Sequence, residues 1–276
     1  MSRDPAVLPP LSSDYPLGQD QIAAFQRDGH ILLPHVCSTE EVRAYREVIS
    51  DATYRYNTET RPMEERDTYG RAFLQIMNLW TRDEAARRYV LSRRFAKIAA
   101  DLMGVDAVRL YHDQALYKEG GGGHTPWHQD HYYWPLKSKG IQALTMWMPL
   151  VDVPIDMGAL TFASGSHNEG FLGHLEISDK SHDEFDRVVR SRGFPVVTAP
   201  MAAGDATFHA SWLLHSAPGN SSPETREVMT IIYFADGVST FEPDNEHRAN
   251  DLRTWLPGVN PGEPAASELN PVVFRR

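Results

Sequence analysis

The residues best suited to chemistry lie in Thr125-Pro126-Trp127-His128-Gln129-Asp130-His131-Tyr132-Tyr133-Trp134. His128 and Asp130 put an imidazole and a carboxylate two positions apart. On an extended strand side chains alternate with a period of two, so both would face the same way. Two such groups can grip one metal ion. A third ligand must come from far along the chain, and His215, in Leu213-Leu214-His215-Ser216-Ala217-Pro218-Gly219-Asn220, is the best candidate. Two histidines and one carboxylate on one side of a metal, with the other side open, form the facial triad of non-haem Fe(II) oxygenases. Alone, a His-x-Asp pair is a weak signal, because a single histidine is more often a structural or surface residue than a ligand.

A second feature adds weight. Arg226 opens the apolar run Arg226-Glu227-Val228-Met229-Thr230-Ile231-Ile232-Tyr233-Phe234, which reads as a buried strand with one cation at its mouth. Burying an unpaired charge is expensive, so this guanidinium needs an anionic partner. The carboxylate of a cosubstrate would supply one through a bidentate pair.

Composition narrows the classes. The chain has 276 residues, 41% of them hydrophobic, enough for a sizeable core. Lys and Arg number 27 against 37 Asp and Glu, a net charge of −10, which argues against a nucleic-acid backbone or an anionic membrane as partner. One cysteine, Cys37, excludes an internal disulfide framework and a thiolate zinc site. No apolar run is long enough to span a bilayer and no signal peptide is evident at the start, so the expectation is a cytoplasmic protein acting on a small-molecule substrate.

The elements that must position these residues follow in order. Residues 1–18, with four prolines among the first sixteen, read as an extended arm. A short helix covers 19–28 and stops at Gly29; a strand follows over 30–34. Ser38-Thr39-Glu40-Glu41 is a capping-box signature. A later helix starts at Ser92, buries Phe95, Ile98, Ala99 and Leu102, and ends at Gly104. Its arginines, with Arg87 and Arg88 before it, read better as a solvated face than as a phosphate site. From residue 107 short strands and glycine-rich turns take over, with strands expected at 108–117, 141–153, 159–163, 195–198, 205–209 and 226–235. Gly120 to Gly123 lack the Gly-Lys-Ser/Thr pattern of a phosphate loop and read as a mobile rim. Residues 168–193 form an insertion, a candidate helical flap. The proline-containing tail reads as extended. The pattern is mainly β with flanking helices, and ligands on separate strands suit a jelly roll, within one domain spanning 1–276.

Several separate stretches match one family. Phe25-x-x-Asp28-Gly29, Asp113-Gln114-Ala115-Leu116-Tyr117-Lys118, the metal motif, Gly158-Ala159-Leu160 with Gly165-Ser166-His167, Gly204-Asp205, His215 to Asn220 and Arg226 occur in its order. The chain resembles the phytanoyl-CoA dioxygenase (PhyH) family of Fe(II)- and 2-oxoglutarate-dependent oxygenases. The resemblance implies a double-stranded β-helix (cupin-like) core with helices packed on one side. It also implies Fe(II) on His128, Asp130 and His215, and the far carboxylate of 2-oxoglutarate on Arg226. O₂ would take the remaining position. Halogenating relatives lack the metal carboxylate; Asp130 favours hydroxylation or a related oxidation, with release of succinate and CO₂.

Other residues carry two readings each. Trp147 could lie against the cosubstrate, or pack in the core. Gln114 could bond the 2-oxoglutarate carboxylate, or satisfy backbone groups at a strand end. Thr161 could help Arg226, or be an ordinary strand residue. His124 is a rim or substrate contact. Trp127, Tyr132, Tyr133, Trp134 and Trp212 flank the metal motifs and could enclose an apolar or ring-bearing substrate, or fill the core. His112 and His209 are candidates for pocket lining, and His167 for closing a turn. Two rivals to the hydroxylase remain: a cupin-like metal dioxygenase using no oxoacid, which gives Arg226 no task, and a non-catalytic jelly roll that binds a ligand. The negative charge weighs against an acyl-CoA substrate.

Overall fold

In the computed structural model, which describes residues 8–276, capping and glycine corners set the helices of the first hundred residues. Helix α1 (Gln19–Asp28) ends at Gly29, whose φ of 77° is left-handed and whose missing Cβ makes room for the His167 ring. Strand β1 (His30–Leu33) follows. Helix α2 (Thr39–Tyr56) opens on the capping box, with Ser38 Oγ accepting from Glu41 N–H and Glu41 accepting from Ser38 N–H. Then come α3 (Thr68–Ala72), β2 (Leu74–Met77), α4 (Glu84–Val90) and α5 (Arg93–Met103). Helix α5 runs from its Ser92 cap to Gly104, with Phe95, Ile98, Ala99 and Leu102 buried, as the spacing predicts.

The remaining elements are β3 (Ala107–Tyr117), β4 (Thr125–His128), β5 (Ala143–Pro149), β6 (Thr161–Ala163), α6 (Asp179–Arg192), β7 (Val196–Thr198), β8 (Ala206–Ala210), β9 (His215–Ala217), β10 (Val228–Ala235), α7 (Glu246–Trp255) and β11 (Val272–Arg275). They build two antiparallel sheets. Seven strands run in the order β1-β8-β5-β10-β3-β11, with β2 also on β3; four run β4-β9-β6-β7. The chain is mainly sheet with helices, and no helix among the described residues is long and apolar enough to cross a membrane.

Alternation along the larger sheet decides what reaches the space between the sheets. Leu144, Met146 and Met148 of β5, with Met229, Ile231 and Tyr233 of β10, bury in one cluster with the apolar faces of α2, α4 and α5. Their neighbours Thr145, Trp147, Thr230 and Ile232 point the other way and line a cavity, together with Gln114 and Leu116 of β3. The apolar side of the sheet therefore anchors it, and the mixed side carries the chemistry.

Several expectations change. Of the arm, residues 1–7 lie outside the described residues; Leu8 and Leu11 are buried in the main core. The tail is not simply extended: Asn245 caps α7, and β11 pairs with β3. Its prolines fall outside both elements and mask them. The glycine run is tied down, with Gly121 N–H bonded to Asn220 O, Asn220 N–H to Gly122 O, and Gly123 N–H to Arg71 O. The 168–193 segment is α-helical only in its second part, α6, whose Phe185 and Val189 bury against Trp127 and Leu214.

Nor is Arg94 on a solvated face. It is buried and donates to both Glu41 carboxylate oxygens at 2.8 Å, to Val36 O and to Ser13 O and Oγ. It thereby ties the arm, the β1–α2 turn and α5 together. Arg94→Ala would leave Glu41 without its cation in a largely buried site and should cost about 3 kcal/mol of folding stability. Urea denaturation reads this as a lower midpoint at unchanged slope; a loss below about 1 kcal/mol would place the pair among ordinary surface bridges.

Candidate metal centre and cavity

The metal-ligating candidates meet across the smaller sheet. His128 on β4 and His215 on β9 stand directly opposite one another in the antiparallel register, with ring centroids 4.1 Å apart. Strand β4 ends at His128, and Asp130 opens a single 3-10 turn (Asp130–Tyr132) rather than continuing the strand. Asp130 still turns to the same side as His128. Between them Gln129 is pinned the other way, its amide donating to Gly170 O at 2.7 Å and Trp212 O at 2.6 Å. His128 Nε2 and His215 Nε2 each lie 3.6 Å from Asp130 Oδ1. One ligand atom from each residue falls within 4.8 Å of the others.

Hydrogen bonding presets these donors. His128 Nδ1 lies 2.7 Å from Pro126 O and His215 Nδ1 lies 3.0 Å from Leu213 O. A carbonyl only accepts, so each Nδ1 carries the hydrogen and each Nε2 turns its lone pair toward Asp130. Burial lowers the His128 imidazole to about 3 and the His215 imidazole to about 4, which keeps both neutral, the form that ligates. Burial alone would raise the Asp130 carboxyl; the His215, His209 and His128 rings outweigh it and hold the group well below the ordinary carboxylate range. Thr145 donates to Asp130 Oδ2 at 2.7 Å, and His209 Nε2 lies 3.4 Å from the same oxygen. Two neutral imidazoles and one oriented carboxylate suit a divalent first-row metal such as Fe(II).

Arg226 lines the same cavity. It is 2% exposed, its Nη1 donates to Gly158 O, and its guanidinium lies 5.2 Å from the Trp147 ring centroid. Burial lowers it to about 9. Its Nε finds no acceptor, and among the described residues no carboxylate lies within ion-pair distance. Gly158 has a structural task here, since a Cβ would meet Pro218 O at 2.8 Å and crowd the guanidinium. A second buried basic side chain, Lys118, bridges to Arg226 through the backbone and donates to Gly123 O; burial, and then the neighbouring Arg226, lower its amine to about 6. The pairing of a buried guanidinium with an open triad fits an anionic, metal-chelating cosubstrate.

The cavity measures about 470 Å³. Gln114, Trp147 and Trp134 line it, and so do His112 and His209. Gln114 accepts from Gln75 Nε2 at 2.8 Å. Four other candidates lie elsewhere, three of them because a neighbour on the same strand or turn takes the inward position. Trp127, next to His128, packs under α6. Thr161 lies outside because Phe162 faces His209 and His215. Tyr132 packs on Tyr133, which lines the cavity in its place. Trp212 stacks on His131 at 4.2 Å. His124 also lies outside, its Nε2 3.5 Å from Asp179 Oδ1 beside His182. His167 holds its turn by a bond to Gln26 O. Sequence reasoning misses Thr145, which orients the metal carboxylate, and the α7 residues Asn250, Asp251 and Trp255, which close the cavity.

Known proteins resemble the chain as a whole. The family model for phytanoyl-CoA dioxygenase (PhyH) matches residues 25–228. An ectoine dioxygenase of Sphingopyxis alaskensis is 25% identical over 98% of this chain and 92% of its own. An L-proline trans-4-hydroxylase of Streptomyces griseoviridis is 27% identical over 78% of this chain and 85% of its own. Among solved structures, the epimerase SnoN from nogalamycin biosynthesis, in complex with Fe3+, alpha ketoglutarate and nogalamycin RO, is 27% identical and superposes with a TM-score of 0.76, over 98% of this chain and 100% of that one. The chain belongs to the phytanoyl-CoA dioxygenase family and is a non-haem iron dioxygenase dependent on 2-oxoglutarate.

Proposed function

We propose that this protein oxidises an unactivated C–H bond of a small molecule, hydroxylation being the favoured outcome, and releases succinate and CO₂ from 2-oxoglutarate. The observation that carries this reading is the buried, acid-free Arg226 opening into the cavity that holds His128, Asp130 and His215. Those three residues would hold Fe(II), which supplies chelation of the oxoacid and activation of O₂. The intact Asp130 speaks for oxygen insertion over halogenation. The two antiparallel sheets, with the cavity between them, are read as a double-stranded β-helix within one catalytic domain.

The chain's own residues bind, orient and exclude water. Arg226 would receive the far carboxylate of the oxoacid as a charge-assisted pair, with Trp147 as its apolar wall. Gln114 would orient a ligand oxygen through its amide. The His128 and His215 Nδ1–H bonds keep both rings in one tautomer, and Thr145 holds the Asp130 carboxylate still. Tyr133, Trp134 and Trp255 would shield the substrate's reacting carbon from water.

Anaerobic addition of Fe(II) and then 2-oxoglutarate tests the reading. The expected result is a charge-transfer band in the visible that needs both components and saturates with one equivalent of each. Metal binding with no response to the oxoacid would support an oxoacid-free metal enzyme instead, and no metal binding would leave a ligand-binding protein. Succinate release over a panel of candidate substrates then identifies the reaction.

A further inference from the structure

The charge problem at Arg226 has a counterpart of opposite sign in the same cavity. Asp251, on α7, is a partly buried carboxylate lining it. Tyr111 Oη donates to its Oδ2 at 2.9 Å, and the Trp255 side chain is its other hydrogen-bonding neighbour. Both partners are neutral. Among the described residues no Lys, Arg or His lies within ion-pair distance of it; the nearby Arg248 is engaged by Asp244 at 2.6 Å and Arg253 by Asn250 at 2.8 Å. A second carboxylate, Glu176, lines the cavity too and is taken by His247 at 3.0 Å.

Position and surroundings single out Asp251. Along β10 the cavity runs from Arg226, beside Trp147, to Ile232, which is paired with Thr145. Tyr111, which holds Asp251, packs against Phe234 still further on. Asp251 therefore belongs to the part of the cavity beside Ile232 and Phe234, away from the oxoacid recess. The walls there are aromatic: Trp255 beside Asp251, Trp134 against Tyr111, and Tyr69 and Tyr133. Aromatic faces attract cations as well as rings. A carboxylate half out of water without a cation is costly unless a ligand supplies one, and burial pushes this group up to about 7.

We propose that the substrate is a ring-bearing compound with a protonated amine, that Asp251 receives the ammonium, and that the surrounding aromatic side chains cover its apolar body. The assignment rests on the proposed oxygenase reading, since it takes this end of the cavity as the substrate end. It places the two ligands by charge: the anionic oxoacid on Arg226, the cationic substrate on Asp251. Each end rejects the other's ligand. The net charge of −10 also favours approach of a cation.

Calorimetry with three fragments of like size tests it: benzylamine, benzyl alcohol and phenylacetate, each titrated into the full-length protein with and without Fe(II) and 2-oxoglutarate. The parent should bind benzylamine at least about tenfold more tightly than benzyl alcohol and, with 2-oxoglutarate on Arg226, reject phenylacetate. Asp251→Asn should bring the two neutral-or-cationic probes within about twofold, and Asp251→Glu, which keeps the charge, should retain part of the preference. Equal binding of amine and alcohol by the parent overturns the proposal, as does a preference that survives in Asp251→Asn. The metal-free arm separates the two readings. An amine preference without the visible iron–oxoacid band sinks the oxygenase reading alone; a band with no amine preference sinks this one alone.

Discussion

Asp130→Ala should abolish oxidation, with substrate-coupled succinate release falling at least about a thousandfold, beyond the roughly 10- to 100-fold that loss of an outer hydrogen-bonding partner costs at a metal site. The reason is the electrostatic makeup of the site. Asp130 is the charged member of the triad, and its Oδ1 stands 3.6 Å from both Nε2 atoms. Without it a divalent cation would sit on two neutral imidazoles, both kept neutral by burial, with no local anion to offset its charge. Thr145 would lose its acceptor, and His209 its charged neighbour. The protein should remain folded, because Asp130 is not part of the apolar clusters that hold the sheets. Thr145→Ala grades the effect: it leaves the carboxylate but frees its orientation, and should cost roughly 10- to 100-fold. Anaerobic Fe(II) titration alongside the succinate assay checks both. Asp130→Ala activity within tenfold of the parent would show that the carboxylate is dispensable.

The contrast between what the chain reveals as text and what needs coordinates has one physical source. His128 and Asp130 are readable because a period of two works locally, even where the strand stops at His128 and a turn takes over. The same rule excludes their neighbours: Trp127 and Thr161 are one position out of phase with His128 and Phe162, so they face away. Chemical type made them attractive; phase decides. Helix α5 is legible because its Ser92 cap, Gly104 stop and apolar stripe agree. Helix α7 is not, because Glu246-His247-Arg248-Ala249-Asn250-Asp251 is polar nearly all round. It gains its place from tertiary contacts instead, Tyr111 to Asp251 and Arg248 to His131 O. That hidden helix closes the proposed substrate end of the cavity, which is why sequence patterns point to the candidate metal and oxoacid residues more readily than to those for the substrate.

Arg226→Ala should raise the 2-oxoglutarate requirement steeply while leaving Fe(II) affinity near that of the parent. Loss of one partner of a buried, hydrogen-bonded charge pair costs about 2 to 5 kcal/mol, or roughly thirtyfold to several thousandfold in oxoacid affinity. Arg226→Lys should rescue little, because an ammonium cannot reproduce the planar fork that meets both carboxylate oxygens, and burial here pushes a lysine amine down, as it does at neighbouring Lys118. Stability separates this role from a structural one. In the ligand-free protein Arg226 is a buried cation with one carbonyl partner, an aromatic face and an unsatisfied Nε. Replacing such a group by an apolar residue of similar length is often neutral or stabilising. Arg226→Met should therefore unfold at the parent's temperature or above it, yet bind 2-oxoglutarate as poorly as Arg226→Ala. A structural arginine would show the reverse, a lower unfolding temperature with oxoacid affinity intact, and that pair of results would remove Arg226 from the cosubstrate site. The expected combination, a more stable protein that binds its cosubstrate less well, is what a charge retained for a ligand, rather than for the fold, must produce.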